Sequence, residues 1–491
     1  FEHHSHGLRQ RLRLFVPPDA AVKIVHLRLE NATERPRRVT ATFYAEWLLG
    51  TSRASTAQFV IPDFDDDSQA LLARKPWYPE FGGRVAFAAP SRRLHGLTVD
   101  RGEFLGRHGT LGCPAALQRI GLSGTIRAGL DPCAALQVHI DLPPDGSDEV
   151  WFLLGQGADR AEALALACRY QDGDAVEQAW QAVHGFWDGL LDAVQVRTPE
   201  PSMDLLLNRW LLYQSLACRI WGRSGFYQSS GAFGFRDQLQ DVMAAVHAAP
   251  NLARAHILNA AGRQFEDGDV LHWWHPPSGR GVRTRCSDDL LWLPYVTAHY
   301  IEATGDLSIL DERVPFLQAP PLAEGEDDRY GEYASTNFPG TLYDHCRRAL
   351  ERGHTAGPHG LPLMGSGDWN DGMNRVGVEG RGESIWLGWF LSATLVRYAA
   401  VCEARGDAAQ GAAYRERAAA LQEALEAHGW DGDWYLRAYY DDGTPLGSHL
   451  DSECQIDAIS QSWSVLSGAG DPARTRRALD AVLERLVRAE D

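Results

Sequence analysis

Residues 149–171, EVWFLLGQGADRAEALALACRYQ, change character in mid-stretch, and that change decides the fold. EVWFLLG is a short, nearly continuous apolar run of strand length, as expected for a buried strand. From Arg160 onward, RAEALALACRYQ reads as a helix. After Asp172-Gly173 a second helical run carries Val176, Trp180, Val183 and Trp187 on one face, and Pro199 and Pro201 then punctuate the chain.

Upstream of the change, the sequence has period two. VKIVHLRLE alternates Val25, Leu27 and Leu29 with His26, Arg28 and Glu30; NATERP supplies a turn, and VTATFYAEW resumes. LQVHIDL places Leu136, Val138, Ile140 and Leu142 on one face, and the breaker PPDGSD follows it. Downstream, helical stretches dominate: DLLLNRWLLYQSLACRIW, FRDQLQDVMAAVHAA, SDDLLWLPYVTAHYIEATG, TLYDHCRRALERG, ESIWLGWFLSATLVRYAAVCEARG, YRERAAALQEALEAHG and PARTRRALDAVLERLV. Several end at Gly, a frequent helix stop. The pattern predicts a mixed β-then-α chain: an antiparallel β-sandwich over 1–171, a helical linker over 172–200, and an α/α barrel over 201–491.

Composition narrows the function. The 491 residues are 44% hydrophobic and 23% charged, as in a folded globular protein. A net charge of −18 argues against nucleic acid or an anionic membrane surface as partner. The apolar runs read as too short for a membrane span, so a soluble, cytoplasmic protein is expected, or the cytoplasmic part of an inner-membrane synthase. The eight cysteines lie far apart without a CxxC pair, which predicts reduced thiols and no zinc knuckle. No metal site and no cofactor is expected. A start at Phe1 without Met suggests a piece of something longer.

Four stretches combine carboxylates, arginines and flat aromatics. In GFRDQLQD, Arg236 and Gln240 lie one helical turn apart, as do Asp237 and Asp241; a plain ion-pair patch opening a helix is the bland alternative. In HWWHPPSGRGVRTRCSDDLLWLPY, Trp273 and Trp274 read as a platform in a loop, and Ser287, Asp288 and Asp289 as caps of the next helix. GLPLMGSGDWNDGMNRVG sets Asp368 and Asp371 around Trp369 and Asn370 in a glycine-rich run, without calcium-loop spacing. GRGESIWLGWF brings Glu383, Trp386 and Trp389 into a helix. An α/α barrel gathers such loops at one end, and stacking faces with charged hydrogen-bonding groups suit a pyranose.

These motifs, with QIDAISQSW, resemble the glycoside hydrolase family 94 phosphorylases, which include the cellobiose and chitobiose enzymes. FYAEWLLG, DRGEFLGRHG, CPAALQR and GLDPCAALQVHIDLPP are similar to the phosphorylase-type region of cyclic β-1,2-glucan synthases. The resemblance implies a β-sandwich, a helical linker and an (α/α)6 barrel. It implies that Asp371 is the general acid. Arg236 and Asp241 would line the subsite of the transferred sugar, with Asp368 and Trp369 flanking it. Asp288, Asp289, Glu383, Gln461 and Trp463 fall in matched motifs and are expected to line the pocket. The implied co-substrate is inorganic phosphate, the substrate a β-linked glucan, and the assembly a homodimer. The family's later segment with the phosphate-binding His and Thr has no counterpart here, so the resemblance implies a truncated chain. Two other readings stay open: an inverting hydrolase using Glu453 or Asp457 as base, and a glucan-binding module that gauges length.

Overall fold

Antiparallel pairing organises the first part of the chain. The computed structural model describes residues 1–78, 80–222 and 231–488. Two units result, Phe1–Gly189 and Leu190–Asp491. In the first, β1 (Glu2–Ser5), β2 (Leu8–Phe15), β3 (Val22–Asn31), β5 (Ile61–Asp65), β6 (Ala70–Arg74), β7 (Val85–Pro90) and β10 (Ser147–Gly157) form a sheet in the order β1-β2-β3-β10-β7-β6-β5. A second sheet orders β4 (Arg37–Glu46), β9 (Pro132–Leu142) and β8 (Gly96–Asp100) as β4-β9-β8.

The register explains which side chains are buried. Val25, Leu27 and Leu29 of β3 pack into the core that also takes Leu136, Val138, Ile140 and Leu142 of β9. Val22 and Ile24, of opposite parity, face Ala163, Ala167 and Tyr170 of the helix Arg160–Gln171 and Val176 of the helix Gly173–Leu191. The larger sheet is therefore covered on both faces. That is why EVWFLLG reads as an apolar run: Val150 and Phe152 enter one core, Leu153 the other.

The second unit is built mainly from helices. They include Phe235–Met243, Pro250–Ala261, Trp292–Thr304, Leu342–Gly353, Ile385–Arg405, Ala408–His428, Ala458–Leu466 and Pro472–Leu486. Ile385–Arg405 is long and apolar enough to cross a membrane, but 83% of its apolar 18-residue window is buried within the protein. Gly406, at φ +95, ends it in the left-handed conformation and turns the chain into Ala408–His428. The run Pro201–Trp221 is helical but not uniformly α: two stretches, Leu206–Trp210 and Ser215–Trp221, widen to i→i+5 bonding. Short strands in the connections carry much of the site: β11 (Phe233–Gly234), β12 (Leu271–His275) and β13 (Arg280–Thr284) pair in that order.

Candidate active site

Gly234, in extended conformation, opens the helix Phe235–Met243 and delivers Arg236 in its first turn. The guanidinium is buried and ties three segments together. Its Nη1 donates to Asp288 Oδ1 at 2.8 Å and to the main-chain oxygen of Asp368 at 2.7 Å. Its Nη2 donates to Asp371 Oδ1 at 2.5 Å. Burial opposes the charge, but Asp288, Asp289 and Asp371 together hold Arg236 protonated well above the usual range. Burial also pushes the Asp288 carboxyl upward, with Arg236 pulling it back.

The GDWND segment is held from below by Asp368, which is fully buried. Arg437 grips its carboxylate with two bonds of 2.7 Å. The Ser384 hydroxyl adds a third at 2.7 Å, and the Asn370 amide a fourth at 3.1 Å. Such a bidentate, desolvated pair fixes position because neither partner can return to water. Just upstream, Gly365 at φ +63 runs against the chain at Arg285; a Cβ there would sit 2.1 Å from the Arg285 carbonyl oxygen. The close approach lets Ser287 N bond Gly367 O at 2.9 Å, which sets the two segments in register. Asn370 then caps a one-turn 3₁₀ helix, Asp371–Met373, by accepting from Gly372 N at 2.9 Å. Asp371 emerges at the start of that turn with its side chain 65% exposed.

The wall beside Asp371 comes from β12, which pairs with β13. The two adjacent tryptophans lie on β12 rather than in a loop, so alternation splits them. Trp274 is buried and stacks on Phe233 at 5.5 Å, whereas Trp273 faces the cavity. His272 donates through Nδ1 to Asp289 Oδ2 at 2.7 Å, leaving Nε2 4.0 Å from Asp371 Oδ2. Burial disfavours its charged form, but Asp289 overcomes this and raises the imidazolium to about 11. Asp288 stands at the N-cap of the turn Asp289–Leu291, but neither it nor Ser287 nor Asp289 makes the expected side-chain capping bond. Ser287 Oγ donates to Met364 O and Gly367 O, and Asp288 Oδ2 accepts from Trp292 Nε1 at 3.0 Å.

Arg219, Gly234, Arg236, Asp237, His272, Trp273, His275 and Asp371 line a cavity of about 430 Å³. Asp241 lies behind this wall, 2.9 Å from Arg219 Nε, with burial raising its carboxyl to about 6 against the pull of that arginine. Trp369 is 47% exposed outside that lining and donates to Gln240 Oε1 at 3.3 Å. Asp288, Asp289, Glu383, Gln461 and Trp463 are not part of that lining; the two aspartates are buried against Arg236. Glu383 is buried and accepts from the His359 and Leu361 amides and the His359 ring. Gln461 clamps the main chain of Tyr435 through bonds of 2.7 and 2.8 Å. Trp463 packs edge-on against Trp386 and Phe390.

Sequence alone does not mark Arg437, Arg219 or His272 as part of the site. The signal for Arg437 is indirect: a buried aspartate requires a cation, and WYLRAYY supplies an arginine in a run that otherwise reads as core.

Residues 186–490 match the Glycosyl hydrolase 94 superfamily catalytic domain, and residues 1–173 match the Glycosyl hydrolase 94 supersandwich domain. The chain belongs to the glycosyl hydrolase 94 superfamily. Within it, the chain is 46% identical over 470 residues to "Cyclic beta-(1,2)-glucan synthase NdvB" of Rhizobium meliloti (strain 1021), covering 95% of this chain and 17% of that protein. It is 30% identical over 492 residues to "Solabiose phosphorylase" of Paenibacillus borealis, covering 98% of this chain and 60% of that protein. "N,N'-diacetylchitobiose phosphorylase" of Vibrio furnissii is 28% identical, with 98% of this chain and 61% of that protein covered. The chain thus spans about a sixth of the synthase and about three fifths of the phosphorylases. At the level of fold, a bacterial glucoamylase complexed with acarbose matches with a TM-score of 0.56 at 10% identity, over 98% of this chain and 66% of that one.

Proposed function

We propose that this glycosyl hydrolase 94 chain carries the proton-donating half of an inverting phosphorylase acting on β-linked gluco-oligosaccharides, with β-1,2-glucan as the preferred class. The helical unit is then part of an (α/α)6 barrel. The observation that carries the reading is the position of Asp371: an exposed carboxylate at the wall of a 430 Å³ cavity, anchored through Arg236 to a buried frame. Asp371 protonates the glycosidic oxygen as the bond to the anomeric carbon breaks. Phosphate attacks that carbon from the opposite face, giving α-glucose 1-phosphate and a glucan one unit shorter. Phosphate is already an anionic nucleophile, so this chemistry needs one catalytic carboxyl where an inverting hydrolase needs two. No cofactor enters the scheme. The names of the relatives, a β-1,2-glucan synthase and several phosphorylases, support the substrate class and the reaction.

A hydrolytic reading draws on one observation: Asp237 is a second carboxylate lining the same cavity. Glu453 and Asp457 do not line it, and Asp457 caps the helix Ala458–Leu466. The test of the proposed acid is Asp371→Asn in the full-length protein. Turnover is expected to fall about 10²–10⁴-fold, the usual contribution of a general acid, with the urea midpoint unchanged. Turnover within threefold of wild type would remove Asp371 from the role.

A further inference from the structure

His272, Cys286 and Asp371 each offer one donor atom, and these atoms lie within 4.8 Å of one another. The three side chains arrive from independent supports. His272 sits on β12, paired with β13. Cys286 follows β13 and bridges to Gly365 and Gly367. Asp371 stands on the turn that Asp368 anchors.

The histidine is already oriented as a metal-binding histidine would be. Its Nδ1 is bound to the buried Asp289 carboxylate at 2.7 Å, so Nε2 is the nitrogen turned outward. Metal-ligating histidines nearly always donate their other ring N–H to such a partner, which fixes the ring and raises its basicity. The carboxylate of Asp371 is divided in a compatible way. Arg236 holds Oδ1, while Oδ2 faces His272 Nε2 at 4.0 Å. One oxygen can therefore ligate without breaking the arginine pair.

We propose that His272 Nε2, Cys286 Sγ and Asp371 Oδ2 form a three-ligand site for a thiophilic divalent cation of the zinc class, and that its occupation shuts off the catalytic carboxyl. The ligand set selects the metal: imidazole and thiolate favour zinc or cobalt over magnesium or calcium, which take oxygen. Zinc bonds of about 2.0 Å to nitrogen and about 2.3 Å to sulfur put tetrahedral ligands roughly 3.5 Å apart. Asp371 Oδ2 stands 4.0 Å from Nε2 on a side chain that is 65% exposed, so a shift of about 0.5 Å brings that pair to the tetrahedral spacing. The cation replaces the Nε2 and thiol protons, which leave to solvent. The fourth position stays open to water.

The inhibitory consequence rests on Asp371 being the proton donor; the site itself does not. Titration of the full-length, metal-stripped protein with cobalt(II) chloride separates the two. A thiolate-to-cobalt charge-transfer band should grow to one equivalent and be abolished by added zinc. Cys286→Ser should lose the band and bind zinc at least about tenfold more weakly, the low end of what loss of even an outer-shell partner costs. Cys286→His should lose the band yet keep zinc binding, and Cys218→Ser, altered at a cysteine that lines the 430 Å³ cavity, should behave as wild type. No band in the wild type, or a band that survives Cys286→Ser, would overturn the site. In parallel, micromolar zinc should suppress wild-type turnover, assayed from glucose 1-phosphate and acceptor, and spare Cys286→Ser measured against its own zinc-free rate. Zinc bound at Cys286 without loss of turnover would leave the site standing and remove the proton-donor reading of Asp371.

Discussion

Asp368 and Asp371 stand three residues apart in one glycine-rich motif, yet they occupy opposite physical regimes. Asp368 is fully buried, and Arg437, Ser384 and the Asn370 amide all donate to its carboxylate. Asp371 is 65% exposed, with one oxygen held by Arg236 and the other turned to His272. The first has no freedom left for chemistry; the second has a defined position and an open face. A reacting carboxyl needs both, and the motif divides the labour between two residues of the same type.

That division predicts opposite phenotypes, and the largest effect belongs to the buried side. Arg437→Met leaves Asp368 buried without its cation and is expected to cost about 3–5 kcal/mol of stability, read from urea unfolding. A cost below 1 kcal/mol would mean that the pair is not what fixes the loop. Asp371→Asn should show the reverse pattern, with turnover lost and stability kept.

The next effect is a pH dependence on the exposed side. His272 is raised from about 6.5 in the unfolded chain to about 11, burial opposing the shift and Asp289 driving it. A group whose folded value is raised contributes fully below the unfolded value, and its contribution is lost as pH rises through the folded one. Wild-type stability should therefore decline from pH 6.5 toward 11 by this group, and His272→Gln should remove that slope. An unchanged alkaline slope in the variant would contradict the ion pair with Asp289.

The smallest effect is at Trp369. Trp369→Ala removes an exposed indole whose one hydrogen bond runs to Gln240. It should leave the urea midpoint in place and raise KM about fivefold, matching roughly 1 kcal/mol for a lost aromatic face. A stability loss with unchanged KM would place the ring in the core instead.

The architecture was largely legible because it rests on periodicity. The switch near Arg160, from EVWFLLG to RAEALALACRYQ, coincides with the end of β10 and the start of the helix Arg160–Gln171. The site was less legible, for reasons visible in particular residues. Glycine around Asp368 suggests an exposed turn, because sequence shows the turn-former and not the Arg437 that buries it. HWWH reads as a loop platform until the pairing of β12 with β13 assigns Trp274 inward and Trp273 outward. Glu383 and Gln461 carry the polar chemistry expected of a pocket, but Glu383 is spent on the His359 and Leu361 amides and the His359 ring, and Gln461 on the Tyr435 main chain, relations that only the folded chain reveals.

The central claim is that Asp371 donates a proton while phosphate serves as the nucleophile. The measurement that tests it most directly is the anomer and phosphate dependence of the product released from β-1,2-linked glucose oligomers, followed by NMR on the full-length protein. α-Glucose 1-phosphate, one per bond cleaved and none without phosphate, is the predicted result. Free glucose released in phosphate-free buffer, or a β-configured sugar phosphate, would contradict it.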